Sequence, residues 1–288
     1  MTMGMPKKDS LDREEYEPDE DGLPRAIVGP WVRDKHIRLE RYIGISRSVR
    51  KKFIGPKGAG ATFIDLFAGP GRARIKGSAA VVDGSALAAW RESVRGNAAF
   101  SKIYIADANS KLLAACETRL KRAGAQVSCE VGDATETVSR IVRVLNPLGL
   151  HFAFLDPYNL GSLSFEVIKK LAGLRRMDIL LHVSALDLQM NLRTYMEKER
   201  SPLDAFAPGW REEIDPNRSD ELIRGKLLEH WRGLLKSEGM STTETHELVV
   251  GTRNQRLYWL AFAARHNRAL DFWDKIRNIE QHRQRKLI

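Results

Sequence analysis

The chain predicts an α/β fold built on a mostly parallel sheet with helices on both faces. Two observations point there. Short β-rich apolar runs alternate with helix-length amphipathic segments from residue 61 to 185, and the first run, Ala61-Thr-Phe-Ile-Asp65, closes in a glycine-containing loop, Gly69-Pro-Gly71. Parallel strands need crossovers of this length, and such sheets are buried on both faces.

Taken in order, residues 1–24 hold eight acids against three bases, with Pro6, Pro18, Gly22 and Pro24 among them and no apolar periodicity. They read as an acidic leader that is disordered or loosely docked. Residues 25–60 form a basic helical extension. From Trp31 onward, Val32, Leu39, Tyr42 and Ile43 share one helical face, and Arg33, Arg38, Arg41 and Arg47 lie largely elsewhere. A second short helix is expected to end near Phe53, before the breaker Gly55-Pro-Lys-Gly58.

The main domain, residues 61–288, follows. Expected strands are 61–65, 102–106, 127–131, 151–155 and 177–183; expected helices are 84–94, 110–123, 136–145 and 164–172. An insertion over about 193–240, with Pro202, Pro208, Gly209, Trp210 and Pro216, interrupts the alternation and is placed on the ligand-bearing edge. Strands over 245–251 and 257–264 then form an antiparallel C-terminal hairpin, and a helix over 270–279 leads to a basic tail with Arg283, Arg285 and Lys286.

Composition narrows the function classes. The chain has 288 residues, 43% of them apolar, and a formal charge of +10. Since residues 1–24 carry −5, the remainder carries +15 of that total, a balance that favours a polyanionic partner, RNA or DNA. No stretch reaches the roughly 18 apolar residues of a membrane helix, so a soluble, cytoplasmic protein is expected. Cys116 and Cys129 have no neighbouring His or Cys, which argues for reduced thiols and against a metal site.

The loop Asp65-Leu-Phe-Ala-Gly69-Pro-Gly71 is the first candidate site. Glycines at a strand-to-helix turn let a ligand lie against the backbone, and an acid there suits a ligand's amino group. Asp107 ends the next strand, where ribose hydroxyls are met in nucleotide-binding sheets, and Asp133 ends the one after, where an adenine amino group can be met. Capping of the following helices is the plainer role for Asp65 and Asp133. The full Gly-x-Gly-x-x-Gly is missing and Asp107 lies farther on than the roughly 20 residues of a dinucleotide site, so a methyl donor is favoured over a nicotinamide. The candidate cofactor residues are Asp65, Phe67, Gly69, Gly71, Asp107 and Asp133.

A second signature is Asp156-Pro157-Tyr158, directly after the strand at 151–155. Asp156 and the Pro157 carbonyl can accept hydrogen bonds from an exocyclic amine, and Tyr158 can stack on a base, so catalysis would be mainly by positioning. Core filling and turn capping are the plainer roles. A thiolate nucleophile is excluded, because neither cysteine stands at this strand end.

The string Phe63-Ile-Asp-Leu-Phe-Ala-Gly-Pro-Gly-Arg72, followed by Asp83-Gly-Ser85, Phe154-Leu-Asp-Pro-Tyr158, Met177-Asp-Ile-Leu-Leu-His-Val-Ser184 and Asp187-Leu-Gln-Met-Asn191, resembles the three-Cys-motif partner protein family. Lys35-His36, Leu257-Tyr-Trp-Leu-Ala-Phe-Ala-Ala264 and Phe272-Trp273 extend the likeness over most of the chain from about residue 31. The resemblance implies a Rossmann-like class I methyltransferase fold and S-adenosylmethionine as cofactor. Asp65, Gly69 and Gly71 would then serve the donor, with Asp107 on its ribose and Asp133 on its adenine. It also implies a companion protein with a three-cysteine motif.

Enzymes that methylate adenine N6 carry Asp/Asn/Ser-Pro-Pro-aromatic, which this chain matches only with one proline. Asp-Pro-Phe-Gly of guanine-N2 enzymes is equally similar. The expected function is therefore S-adenosylmethionine-dependent methylation of an exocyclic nitrogen of a nucleic acid, adenine N6 or guanine N2. The alternative is a methyltransferase-fold binding module that acts with its three-Cys-motif partner and has no turnover. A small-molecule acceptor is disfavoured by the basic charge. The helix at Arg33–Arg47 and the segment near Trp210 are candidates for the nucleic-acid groove.

Overall fold

The computed structural model describes residues 15–243, 247–250 and 256–285. In chain order the N-terminal part holds β1 (Tyr16–Pro18), β2 (Pro24–Val28), α1 (Val32–Ile45) and α2 (Arg47–Arg50). The alternating part runs β3 (Ala61–Asp65), β4 (Arg72–Ile75), β5 (Val81–Asp83), α3 (Ser85–Arg95), β6 (Lys102–Asp107), α4 (Ser110–Arg122), β7 (Val127–Val131), α5 (Ala134–Val144), β8 (Leu150–Leu155), α6 (Phe165–Ala172) and β9 (Met177–Ser184). Four helices follow, α7 (Ala185–Glu197), α8 (Pro202–Phe206), α9 (Trp210–Glu213) and α10 (Asp220–Ser237), and then β10 (Ser241–Thr242), β11 (Glu247–Val250), β12 (Arg256–Ala264) and α11 (Asn267–Arg285).

The large sheet is ordered β10–β12–β9–β8–β3–β6–β7, with β11 also on β12. Neighbours from β7 to β9 are parallel, and β12 runs antiparallel to β9, β10 and β11. The mostly parallel sheet with an antiparallel C-terminal hairpin is thus present, in a Rossmann-like arrangement. Side-chain alternation explains its two covered faces. Ile64, Leu155, Ile179 and Leu181 enter one core with α5, α6 and the helices from α7 to α10, while Phe63, Phe154 and Leu180 enter the other with α1, α3, α4 and α11.

Helix starts follow their capping residues. Asn109 accepts from Lys111 and Leu112 N–H groups, Asp133 from Thr135 and Glu136, and Ser201 with Asp204 forms a capping box with Pro202 in the first turn.

Three regions differ from the expectation. Residues 15–24 are docked and not loose: β1 and β2 join β4 and β5 in a second, four-stranded sheet. Charge complementarity holds them. Glu17 meets Arg25 and Arg74; Asp19, inaccessible to solvent, meets Arg25, Arg72 and Arg119; Asp21 meets Arg119. Residues 1–14 of the leader, the link 251–255 and Lys286 of the tail lie outside the described residues.

Secondly, α1 is less an extension than part of the core. Its Tyr42 ring packs at 4.8 Å from Phe152 and 4.7 Å from Phe262, and Lys35, His36 and Arg38 are buried with Leu39 and Ile43. Thirdly, the segment 193–240 does more than meet the carboxyl edge, where a Cβ at Gly161 would lie 3.4 Å from Pro202. It covers one sheet face, where Phe206 stacks on Trp231 at 5.4 Å and Trp210 is buried against Asp204. Among the described residues, no helix is long and apolar enough to cross a membrane.

Candidate functional site

Strand β3 lies between β6 on one side and β8 on the other, so successive crossovers diverge at its carboxyl end. The carboxyl ends of these strands form one edge of the sheet, the edge where open sheets bind ligands, and the expected site residues are arrayed along it. Its two halves are built differently.

In the half next to β3, β6 and β7, carboxylates hold backbone. Asp65 is inaccessible: one oxygen accepts from the Phe67 N–H at 3.0 Å and the other from the Ser85 hydroxyl. Burial pushes its carboxyl up to about 7, against the hydrogen bonds that favour the charge. Asp65 therefore shapes the loop, each of its oxygens already accepting one hydrogen bond. Asp107 is partly exposed; it accepts from Gly69 N–H at 2.9 Å and Asn109 N–H at 2.8 Å, and burial raises its carboxyl. Asp133 is exposed, and one of its oxygens caps α5 at 2.8 and 3.0 Å, the plainer of its two expected roles.

The loop itself needs its glycines. Gly71 has φ of 82°, and a Cβ there would sit 3.1 Å from Cys116, while a Cβ at Gly84 would come within 2.9 Å of Gly71. Asp83-Gly84-Ser85 thus buttresses the loop from behind, which accounts for that motif. Gly69 has φ of 53°, and a Cβ added there would meet nothing within 4 Å. That open space beside half-buried Phe67 is a cradle a ligand can enter along the backbone. Cys116 beneath it is buried, and its thiol is pushed well above its ordinary value by burial and then by Asp65.

In the other half, side chains hold side chains. Lys35 Nζ of α1 lies 2.6 and 2.8 Å from the two oxygens of Asp156, just beyond β8. His182 of β9 brings Nδ1 to 3.2 Å from Asp156 Oδ1 without the alignment of a hydrogen bond. Burial works to raise the Asp156 carboxyl, but Lys35 and then His182 outweigh it and hold it below its usual value. Burial pushes both His182 and the neighbouring His36 down to about 4, so both rings are neutral at pH 7. The Tyr258 ring completes the wall, 4.4 Å from His182 and 5.6 Å from Lys35 Nζ.

A fifth of the Asp156 side chain stays exposed. Pro157 is buried and Tyr158 is 83% exposed, its hydroxyl 3.3 Å from Glu15. The Tyr158 ring is therefore surface and not core. β1 reaches this edge as well, because the Tyr16 phenol, raised chiefly by burial, also feels Asp107, Glu15 and Tyr158. Arg119 links β2 to the loop, donating to the carbonyls of Pro24 at 2.8 Å and Pro70 at 2.6 Å.

The fold thus brings Asp65, Phe67, Gly69, Gly71 and Asp107 into one loop-and-strand assembly, with Asp133 at the neighbouring strand end and Asp156, Pro157 and Tyr158 across the switch point. Lys35, His182 and Tyr258 were not among the expected site residues. The available signal was Lys35 on the same stripe as Leu39 and Tyr42, a cation on an apolar helix face. The basic face proposed for nucleic acid is thinner than expected, since Arg38 is buried while Arg33 and Arg47 are exposed. Among the described residues no cluster of His, Cys, Asp and Glu could hold a metal ion.

No protein-family model matches the chain, and no curated protein matches it. Among solved structures, the chain is similar to an O-methyltransferase from Bacillus cereus in complex with SAH (14% identity, TM-score 0.46, 82% of this chain and 81% of that one). It is also similar to M. jannaschii TYW2 in complex with AdoMet (10% identity, TM-score 0.41, 85% and 83%). A third likeness is to M. capricolum TrmK in complex with S-adenosylhomocysteine (9% identity, TM-score 0.38, 76% and 67%). At these levels the chemistry has to be argued from this chain's own residues.

Proposed function

We propose that this chain is an S-adenosylmethionine-dependent methyltransferase acting on an exocyclic amino nitrogen of a nucleic-acid base. The observation that carries the reading is a carboxylate, Asp156, kept ionised by Lys35 at the end of β8, two residues before an exposed aromatic ring. The Gly69–Gly71 cradle with Phe67, Asp107 and Asp133 would hold the donor, which when bound supplies an electrophilic methyl group.

A carboxylate offers about four lone-pair positions over its two oxygens, and Lys35 occupies one on each. An amine N–H can therefore still be accepted by Asp156. That bond turns the nitrogen lone pair away from the carboxylate and provides a place for the proton that leaves when the new N–C bond forms. Lys35 acts through Asp156 as a positioning residue, holding it charged and fixed. Tyr158 can stack on a base taken out of its helix, and the +15 charge of the chain beyond residue 24 favours phosphate-rich partners.

The same ion pair favours a second reading, a hydroxyl acceptor. There Asp156 takes the hydroxyl proton and the Lys35 ammonium stabilises the developing oxyanion. The binding module acting through a three-Cys-motif protein predicts neither product. The test is to incubate the full chain with labelled donor and total RNA or genomic DNA, and to identify the modified nucleoside. An N-methylated base, with the rate reduced about a hundredfold or more in Asp156→Ala, is the expected outcome. An O-methylated nucleoside would move the assignment to the hydroxyl reading. Donor binding with no transfer would replace both with the binding module.

A further inference from the structure

On the edge of the large sheet opposite the candidate site, the amino ends of β3, β8 and β9 meet α1, α2 and α11 around a cavity of about 200 Å³. Its walls are largely apolar, with Val49, Phe100, Phe152 and Phe272 among them. One of the lining residues is a buried cation. Arg50 is 1% exposed; its Nε donates to the Ala98 carbonyl at 2.6 Å and its Nη1 to the Ser46 hydroxyl at 3.2 Å. Its Nη2 has no hydrogen-bond partner among the described residues.

No described carboxylate forms an ion pair with Arg50. Glu92, whose charge it feels, is paired with Arg95. Burial pushes Arg50 down to about 10, the direction expected of a cation that has lost water and gained no anion. A guanidinium left this way is costly, because each buried N–H needs a partner and a buried charge needs a counter-charge. The Phe100 ring, 4.7 Å from the guanidinium carbon, offsets only part of that cost.

We propose that this cavity is a binding site for a small aromatic carboxylate, its carboxylate on the Arg50 guanidinium and its ring among Phe100, Phe152 and Phe272. Size sets one limit: a cavity of roughly 150 Å³ accommodates benzene, so 200 Å³ takes a single substituted ring and not a nucleotide. Chemistry sets the other. A phosphate group seeks several donors in polar surroundings, whereas here one nitrogen is unspent and the walls are apolar. The lining also contains a carboxyl, Asp178, which is engaged by the Tyr42 hydroxyl at 2.6 Å and pushed up to about 6 by burial. Arg268 is exposed and Arg176 half-buried at the lining, so an anion approaches past two guanidinium groups.

The test is calorimetric titration of the full chain with benzoate, toluene and inorganic phosphate. Benzoate should bind wild type, and Arg50→Met should weaken it about ten- to a hundredfold, the range of a hydrogen bond to a charged group, while toluene binding is little changed. Ala269→Leu, which fills the cavity without touching Arg50, should abolish both organic ligands and supplies the answer if Arg50→Met does not fold. Benzoate failing to bind wild type, or binding Arg50→Met or Ala269→Leu as well as wild type, would overturn the proposal. Phosphate binding as tightly as benzoate with the same dependence on Arg50 would overturn the ligand class.

Discussion

At the carboxyl edge beside β3, β6 and β7, the half proposed for the donor, Asp65, Asp107 and Asp133 direct their carboxylates to groups at most 38 residues away, most of them backbone N–H groups; in the half proposed for the acceptor, Asp156 meets Lys35 across 121 residues. The first arrangement fixes a loop that leaves open space above Gly69. The second assembles a charged pair only when α1 has packed onto the sheet. One half is a local product of strand, turn and cap, and the other is a product of tertiary docking. The difference teaches that the charge state of Asp156 depends on the N-terminal helix, although that helix precedes the alternating β/α part of the chain.

The largest effect should come from splitting the long-range pair. Lys35→Met leaves Asp156 without its cation in a site only a fifth exposed, and removing one partner of a buried pair costs about 3 kcal/mol at the low end of the usual range. Urea unfolding should show that loss, and Lys35→Met combined with Asp156→Leu should recover part of it. If the single variant unfolds at the wild-type midpoint, the pair contributes nothing and the contrast between the halves disappears.

The two halves should also respond to pH with opposite sign. Asp65 has a folded pKa of about 7 against an ordinary 3.8, so its contribution to stability is fully present below about pH 3.8 and is lost as pH rises through about 7. Asp156 has a lowered folded pKa, so its contribution is present above 3.8 and is lost as pH falls through the folded value. In thermal unfolding between about pH 3 and 8, Asp65→Asn should remove a decline of up to ~1.4 kcal/mol per pH unit over pH 4–7, and Asp156→Asn should flatten the acid limb. An identical slope over pH 4–7 in wild type and Asp65→Asn would contradict the assignment for Asp65.

What the sequence disclosed follows the same division. The runs at Ala61–Asp65 and Leu150–Leu155 are apolar and short, and helices such as Ser110–Arg122 start at capping side chains, so the mostly parallel sheet and the loop were legible from local pattern. The second sheet was not. Its strands are three to five residues long, and acids that hold Arg25, Arg72, Arg74 and Arg119 read in isolation as a solvated run. Asp156 was legible as a strand-end acid, but its pairing with Lys35 was not, because separation along the chain carries no period. Arg38 was likewise counted with the basic face, although it is buried.

The central claim is that the donor half binds S-adenosylmethionine chemistry, and its most direct test is calorimetry with S-adenosylhomocysteine on the full chain and on Asp107→Ala. Stoichiometric binding to wild type, weakened at least about tenfold when the partly exposed Asp107 carboxylate is removed, is the predicted result. Absence of binding to wild type would contradict the cofactor assignment and with it the methyltransferase reading.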